Sequence, residues 1–264
     1  MKRAASADPK CPSTGSAADF LPRKIELPAL SEAASKCQGC TLYCNATQTV
    51  FGEGPANAIV MFVGEQPGDQ EDRAGKPFVG PSGKVLDAAL EEAGIPREKT
   101  YVTNAVKHFK FEPRGQRRIH SKPSSREIAA CRPWLEAEIQ VVRPRVIVCL
   151  GATAAQSLLG SAFRLTQHRG EIIKDSKWAP NVLATLHPSS ILRLPDHDAR
   201  EEARRSFVQD MKIVAKHLGA KPRRTESAPP GALAPEPSSK RETAAPRPPR
   251  SQPSKTSAAR HARS

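Results

Sequence analysis

Between residues 58 and 218 the chain repeats one arrangement, a short apolar run followed by a stretch with apolar side chains at helical spacing. Residues 58–63 are apolar almost without interruption and stop at Gly64, as a strand buried on both faces would. Residues 83–93 then set Val85, Leu86, Ala89 and Leu90 on one face of a helix that Gly94 terminates. The pattern recurs with strands at 101–106, 146–151 and 181–186 and helices at 124–142, 153–159 and 199–218. Pro133 is expected to kink the helix at 124–142 or to mark a join. Alternation at this spacing predicts an α/β chain, a three-layer α/β/α sandwich around a central four-stranded parallel sheet. Ligands in such sheets bind beyond the carboxyl ends of the strands.

Those ends carry chemistry. The first strand leads into Gly64-Glu65-Gln66-Pro67-Gly68-Asp69, the second ends near Asn104, and the fourth delivers His187-Pro188-Ser189-Ser190. Taken singly, the glycines make a turn, Asn104 a cap and His187 a helix start. Taken together, an amide, carboxylates and a histidine meet on one rim at the ends of three strands.

The flanks differ in composition. Residues 1–24 are rich in Ala, Ser, Pro and Lys without periodicity and read as a disordered basic arm, 25–219 as one folded domain, and 220–264 as a disordered Pro-, Ala- and Arg-rich basic tail. The formal charge is +14, of which ten Lys or Arg against three Glu after Ala220 supply half. A polyanionic partner such as nucleic acid fits this balance, and a solvated basic tail explains part of it. No apolar run approaches bilayer length and no apolar stretch follows Met1-Lys2-Arg3-Ala4, so a soluble, intracellular protein without a membrane partner is expected.

Six cysteines in such a chain read as thiols or metal ligands rather than disulfides. Cys37, Cys40 and Cys44 cluster in eight residues; a Cys-x-x-Cys pair alone also serves zinc and redox chemistry. Cys149 lies inside an apolar strand and reads as core, and Cys11 falls in the arm.

Four ordered segments make the pattern specific: Gly64-Glu65-Gln66-Pro67-Gly68, Gly75-Lys76-Pro77-Phe78-Val79-Gly80-Pro81-Ser82-Gly83, Tyr101-Val102-Thr103-Asn104 and His187-Pro188-Ser189. They resemble the motifs of the bacterial iron–sulfur (family-four) uracil-DNA glycosylases, over about 35–218. The resemblance implies that Phe78 stacks on a uracil flipped out of DNA and that Asn104 reads its edge. His187 would donate to a uracil carbonyl as negative charge develops there, with Gly64, Gln66, Pro67, Gly68 and Asp69 shaping the pocket. Gly80, Ser82 and Gly83 at a helix start, with Lys107, Arg117, Arg118, Ser189 and Arg193, would contact DNA.

Two departures from the turnover enzymes, Gln66 after Glu65 and the inserted stretch containing Arg117-Arg118-Ile119-His120, resemble the UdgX branch. That likeness implies covalent capture of DNA by His120, with Glu65 supporting the imidazole and Gln66 shaping the site. The family pattern also implies a 4Fe-4S cluster held by Cys37, Cys40, His108 and Cys131, with Cys44 competing for the place of His108. Expected partners are uracil-containing DNA, single-stranded in preference, for a monomer in a bacterial cytoplasm. Three readings follow: a single-turnover trap, a multiple-turnover glycosylase in which Glu65 positions water, and a non-enzymatic iron–sulfur or nucleotide-binding module.

Overall fold

The computed structural model describes residues 11–219. The tail expected from 220 onward, and residues 1–10 of the arm, lie outside the described residues. After α1 (Leu27–Ala34), the elements run β1 (Val60–Gly64), α2 (Asp69–Ala74), α3 (Pro81–Ala93), β2 (Thr100–Asn104), β3 (Phe111–Arg114), β4 (Arg117–His120) and α4 (Ser125–Val142). They continue as β5 (Val146–Leu150), α5 (Ala152–Leu159), α6 (Leu165–His168), β6 (Ile172–Lys174), β7 (Asn181–Thr185), α7 (Pro188–Leu192) and α8 (His197–Leu218).

The order β2-β1-β5-β7 is parallel throughout, as the unbroken apolar runs require. One correction concerns the edge. The sheet has five strands, because β6 adds antiparallel to β7, pairing Ile172 with Leu183 and Lys174 with Asn181. At three residues, with an exposed Lys174, β6 is too short to leave a periodic signal. A second sheet, the β3–β4 hairpin, stands apart and turns at Gly115, whose φ is +58°.

Each face of the large sheet is sealed separately. Val60, Phe62, Val148 and Leu183 face α3 and α8 through Leu86, Leu90, Phe207 and Met211. On the other face Met61, Val63, Ile147 and Val182 meet Leu135, Ile139 and Leu158 of α4 and α5. Every residue of β1, β2 and β5 is buried, so the three layers follow from the sequence pattern. Helix α4 runs through Pro133 as a single element, capped by Ser124, whose hydroxyl accepts from Glu127 N.

The described part of the arm is also corrected. Cys11 and Ala17 are buried, residues 17–20 form a 3₁₀ turn, and Cys11 is joined to Cys44 by a disulfide. Tyr43 donates its hydroxyl to Pro12 O at 2.8 Å, and Gly39 lies against the backbone of Ser16 and Ala17. The segment therefore straps the cysteine-rich loop, and Cys44 is removed from competition for the cluster.

Candidate active site

The carboxyl ends of β1, β2, β5 and β7 border a cavity of about 380 Å³. Glu65, Gln66, Pro67, Gly68, Phe78, Ser82, Asn104, His120, His187, Ser189 and Arg193 line it, which brings together residues from five segments. Lys122, Glu71 and Leu165 also line it and were not singled out in the sequence, where a lone lysine, glutamate or leucine carries no periodic or motif signal.

Backbone geometry builds the floor. Phe78 adopts the left-handed region, with φ +57°. A side chain at Gly83 would run into the Phe78 carbonyl, so the glycine permits that turn. Gly64 plays a similar part at the end of β1, where a methyl group would collide with the Asn104 amide and the tip of Phe78. Asn104 is buried, and its side-chain amide has no hydrogen-bond partner among the described residues, leaving a donor and an acceptor for a ligand.

His187 caps α7. Its Nδ1 accepts from Ser189 N at 3.1 Å, which places the ring proton on Nε2. Burial, with Arg193 and His120 nearby, pushes its pKa down to about 4, so near neutrality it is an uncharged donor. The ring stacks at 25° on Phe78 with centroids 6.3 Å apart.

His120 ends the hairpin and remains half-exposed, its Nε2 3.4 Å from Glu65 Oε1. Burial lowers its pKa against the opposing pull of Glu65, with Arg193 adding to the lowering. Gln66 fixes the hairpin's base: its amide donates to Lys110 O (3.2 Å) and Ser121 O (3.0 Å), and its carbonyl accepts from Lys110 N (3.1 Å).

Several expected DNA or pocket contacts are corrected. Arg118 is committed inward: it donates to Asp69 Oδ1 at 2.5 Å and Asp72 Oδ2 at 2.6 Å and lies over the rings of Phe109 and Phe111. Asp69 in turn pairs with Arg118 and Arg73 rather than lining the cavity. Lys107 is wholly buried in an ion pair with Glu138 and cannot reach a phosphate. Glu71 accepts from both Gly68 N (3.1 Å) and Gly80 N (2.7 Å), and Gly83 N donates to Gly80 O, so those amides are occupied. Of the helix-start trio only Ser82 lines the cavity. Arg117 and Arg193 are exposed.

The proposed cluster ligands gather behind this site. Cys37, Cys40 and Cys131 are free, buried thiols in one apolar group with Trp134. Cys37 Sγ accepts from Trp134 Nε1 and Cys131 Sγ from Lys107 N, each at 3.2 Å, the kind of donor that steadies a thiolate. Without a metal, burial raises the Cys40 and Cys131 thiols to about 11 and about 12. His108 Nε2 lies 2.9 Å from Thr49 Oγ1, and burial lowers its pKa to about 4, leaving it neutral as ligation requires. Among the described residues no three such side chains converge on the position of a single ion. A four-iron cluster, being several ångström across, holds its ligands apart, and three thiols with a neutral imidazole fit its donor chemistry.

Comparison with known proteins agrees with this architecture. The family model "Uracil DNA glycosylase superfamily" matches residues 51–212. The Type-4 uracil-DNA glycosylase of Thermotoga maritima is 40% identical over 183 residues, covering 69% of this chain and 89% of that protein. That of Archaeoglobus fulgidus is 34% identical over 191 residues, 70% of this chain and 89% of its own. A Type-5 uracil-DNA glycosylase of Pyrobaculum aerophilum is 30% identical over 156 residues, 52% of this chain and 64% of its own. With the matched region spanning every parallel strand and the cavity they border, the chain belongs to the uracil DNA glycosylase superfamily.

Proposed function

We propose that this protein excises uracil from DNA and is captured on the product by His120. The observation that carries the reading is that a neutral imidazole and its carboxylate partner, Glu65, share one cavity with Phe78, Asn104 and His187. Glycosidic cleavage develops positive charge on the sugar and negative charge on the base. Phe78 stacks on the flipped uracil, and Asn104 offers one donor and one acceptor to its edge, a pattern that cytosine's exocyclic amine reverses. His187 donates Nε2–H to the uracil carbonyl, so the electron pair of the C1′–N1 bond departs with the base. An imidazole nitrogen of His120 donates its lone pair to C1′, and the carboxylate of Glu65 supports the positive charge left on the ring.

Arg193, Ser189, Ser82 and Arg117 are the proposed phosphate and sugar contacts, with single-stranded DNA, which needs no unpairing, as the preferred substrate. Cys37, Cys40, His108 and Cys131 would hold a 4Fe-4S cluster, whose role is to fasten the N-terminal segment to the strand that ends at Asn104. The Type-4 relatives are named as uracil-DNA glycosylases, and a second reading is glycosylase activity without capture, in multiple turnover with water positioned by Glu65.

One gel separates the two. Protein incubated with a uracil oligonucleotide and heated in detergent should give a retarded, denaturation-resistant band. A freed abasic strand in multiple-turnover yield, with no such band, would overturn capture, and intact DNA would overturn both.

A further inference from the structure

Resting on the assignment of Asn104 as the uracil reader, we propose that the buried Lys107–Glu138 pair is a positioning device for that residue. Both side chains have no solvent exposure, and Nζ lies 2.6 Å from Glu138 Oε2. The ammonium has three protons and three acceptors: Glu138, Thr103 Oγ1 at 2.6 Å and the main-chain carbonyl of Asn104 at 2.7 Å. Glu138 is saturated in turn, accepting from Gly52 N at 3.1 Å, Tyr101 Oη at 3.0 Å and Thr103 Oγ1 at 2.9 and 3.0 Å.

A buried charge pair is not the usual means of stabilising a fold. Well-packed apolar side chains of similar volume commonly match or exceed the stability of a buried ion pair. Its placement is what distinguishes it. Asn104 ends β2, and although Ala105 N and Val106 N still donate to Gly64 O and Glu65 O, the Asn104 carbonyl itself receives no main-chain donor among the described residues. Lys107 supplies that missing partner from three residues ahead, and its own N–H is anchored on Cys131 Sγ at 3.2 Å. Glu138 projects from α4, a helix packed on the sheet, so the reference point for Asn104 is rigid rather than a loop. The Asn104 amide carries no other hydrogen bond among the described residues, so its aim is set by its main chain. A misplacement of about 1 Å at a reacting group costs on the order of 10²-fold in rate.

The test compares the wild type with K107M/E138Q, which removes both charges yet keeps the volume and most of the acceptors of Glu138. The rate of uracil excision is measured under single-turnover conditions at saturating protein, beside affinity for uracil-free DNA and the melting temperature. The expected result is a folded variant, unchanged in uracil-free DNA binding, whose excision rate falls on the order of 10²-fold. A folded variant that excises at the wild-type rate overturns the proposal, as does one in which rate and uracil-free binding fall together. Should that variant not fold, T103V, which deletes one acceptor of Nζ without stranding a charge, should lower the excision rate about tenfold at unchanged DNA affinity; an unchanged rate overturns the proposal. N104A is the control: if it excises normally, the assignment of Asn104 as reader fails, and the proposal with it.

Discussion

Gln66 donates its side-chain amide to the carbonyl of Ser121, the residue after His120, at 3.0 Å, and so ties the end of β4 to the turn that follows β1. The same side chain exchanges two hydrogen bonds with the main chain of Lys110, ahead of β3. One glutamine therefore closes the hairpin across its base. Replacing it with Ala should lower the fraction of protein captured on uracil DNA more than the amount of uracil released. It should also cost about 1–3 kcal/mol of stability through the unpaired groups left behind. Parallel quantification of adduct and free uracil, with a melting curve, checks both.

If His120 is the nucleophile, as proposed, the substitution His120→Gly removes it and opens space for water. Excision should continue, with abasic product accumulating and no detergent-resistant band. A band that persists on denaturing gels would identify a different nucleophile.

Arg118 should prove structural. Its side chain is only 16% exposed and neutralises Asp72, which has no exposure. Arg118→Ala strands that carboxylate, so a loss of about 2 kcal/mol or more is expected, with faster hydrogen exchange confined to 110–121. The salt dependence of DNA binding should stay as it is, whereas removing the exposed Arg193 should make its slope shallower by about one.

Part of the pH response follows from His187, whose folded pKa of about 4, like that of the buried His108, lies below the ordinary 6.5. Between those values the unfolded chain binds the extra proton, so this group's stabilisation is complete above about 6.5 and is lost as pH falls toward 4. The full shift amounts to at most about 3 kcal/mol, reduced because the ring borders an open cavity. His187→Gln should flatten the acid limb of a melting-temperature profile measured from pH 7 to 4.

Cys131→Ala should abolish the visible iron–sulfur absorption and reduce soluble yield, while Cys44→Ala should leave the colour intact. Iron and sulfide analysis of the purified protein decides the matter, and zinc without iron would remove the cluster from the proposal.

How much of this was legible depended on the length of the signal. The parallel strands were readable because burial on both faces forces unbroken apolar runs such as Val60–Gly64 and Val146–Leu150. The rim residues were readable because topology sends the ends of those strands to one place. Partnerships among charged side chains were not. Lys107 and Arg118 look alike to a count of basic residues, yet one is sealed against Glu138 and the other clasped by two aspartates that a turn of α2 brings side by side. Cys11 was missed for the same reason, since its partner lies 33 residues away, beyond a 3₁₀ turn and α1.

The hairpin shares no ladder hydrogen bonds with the five-stranded sheet and is held by side chains instead: Gln66 across its base, Arg118 on Asp69 and Asp72 of α2, His120 beside Glu65, and Lys110 on Glu127 of α4. On the proposed reading, the core that folds the chain also carries the excision residues, whereas the capturing histidine sits on a separate part. A lineage could gain, tune or discard such a ribbon by a local insertion without renegotiating the core, and the same separability invites transplantation. Moving 110–121 together with Gln66, Asp69 and Asp72 onto a related scaffold is the minimal graft that carries both the histidine and the means of holding it still.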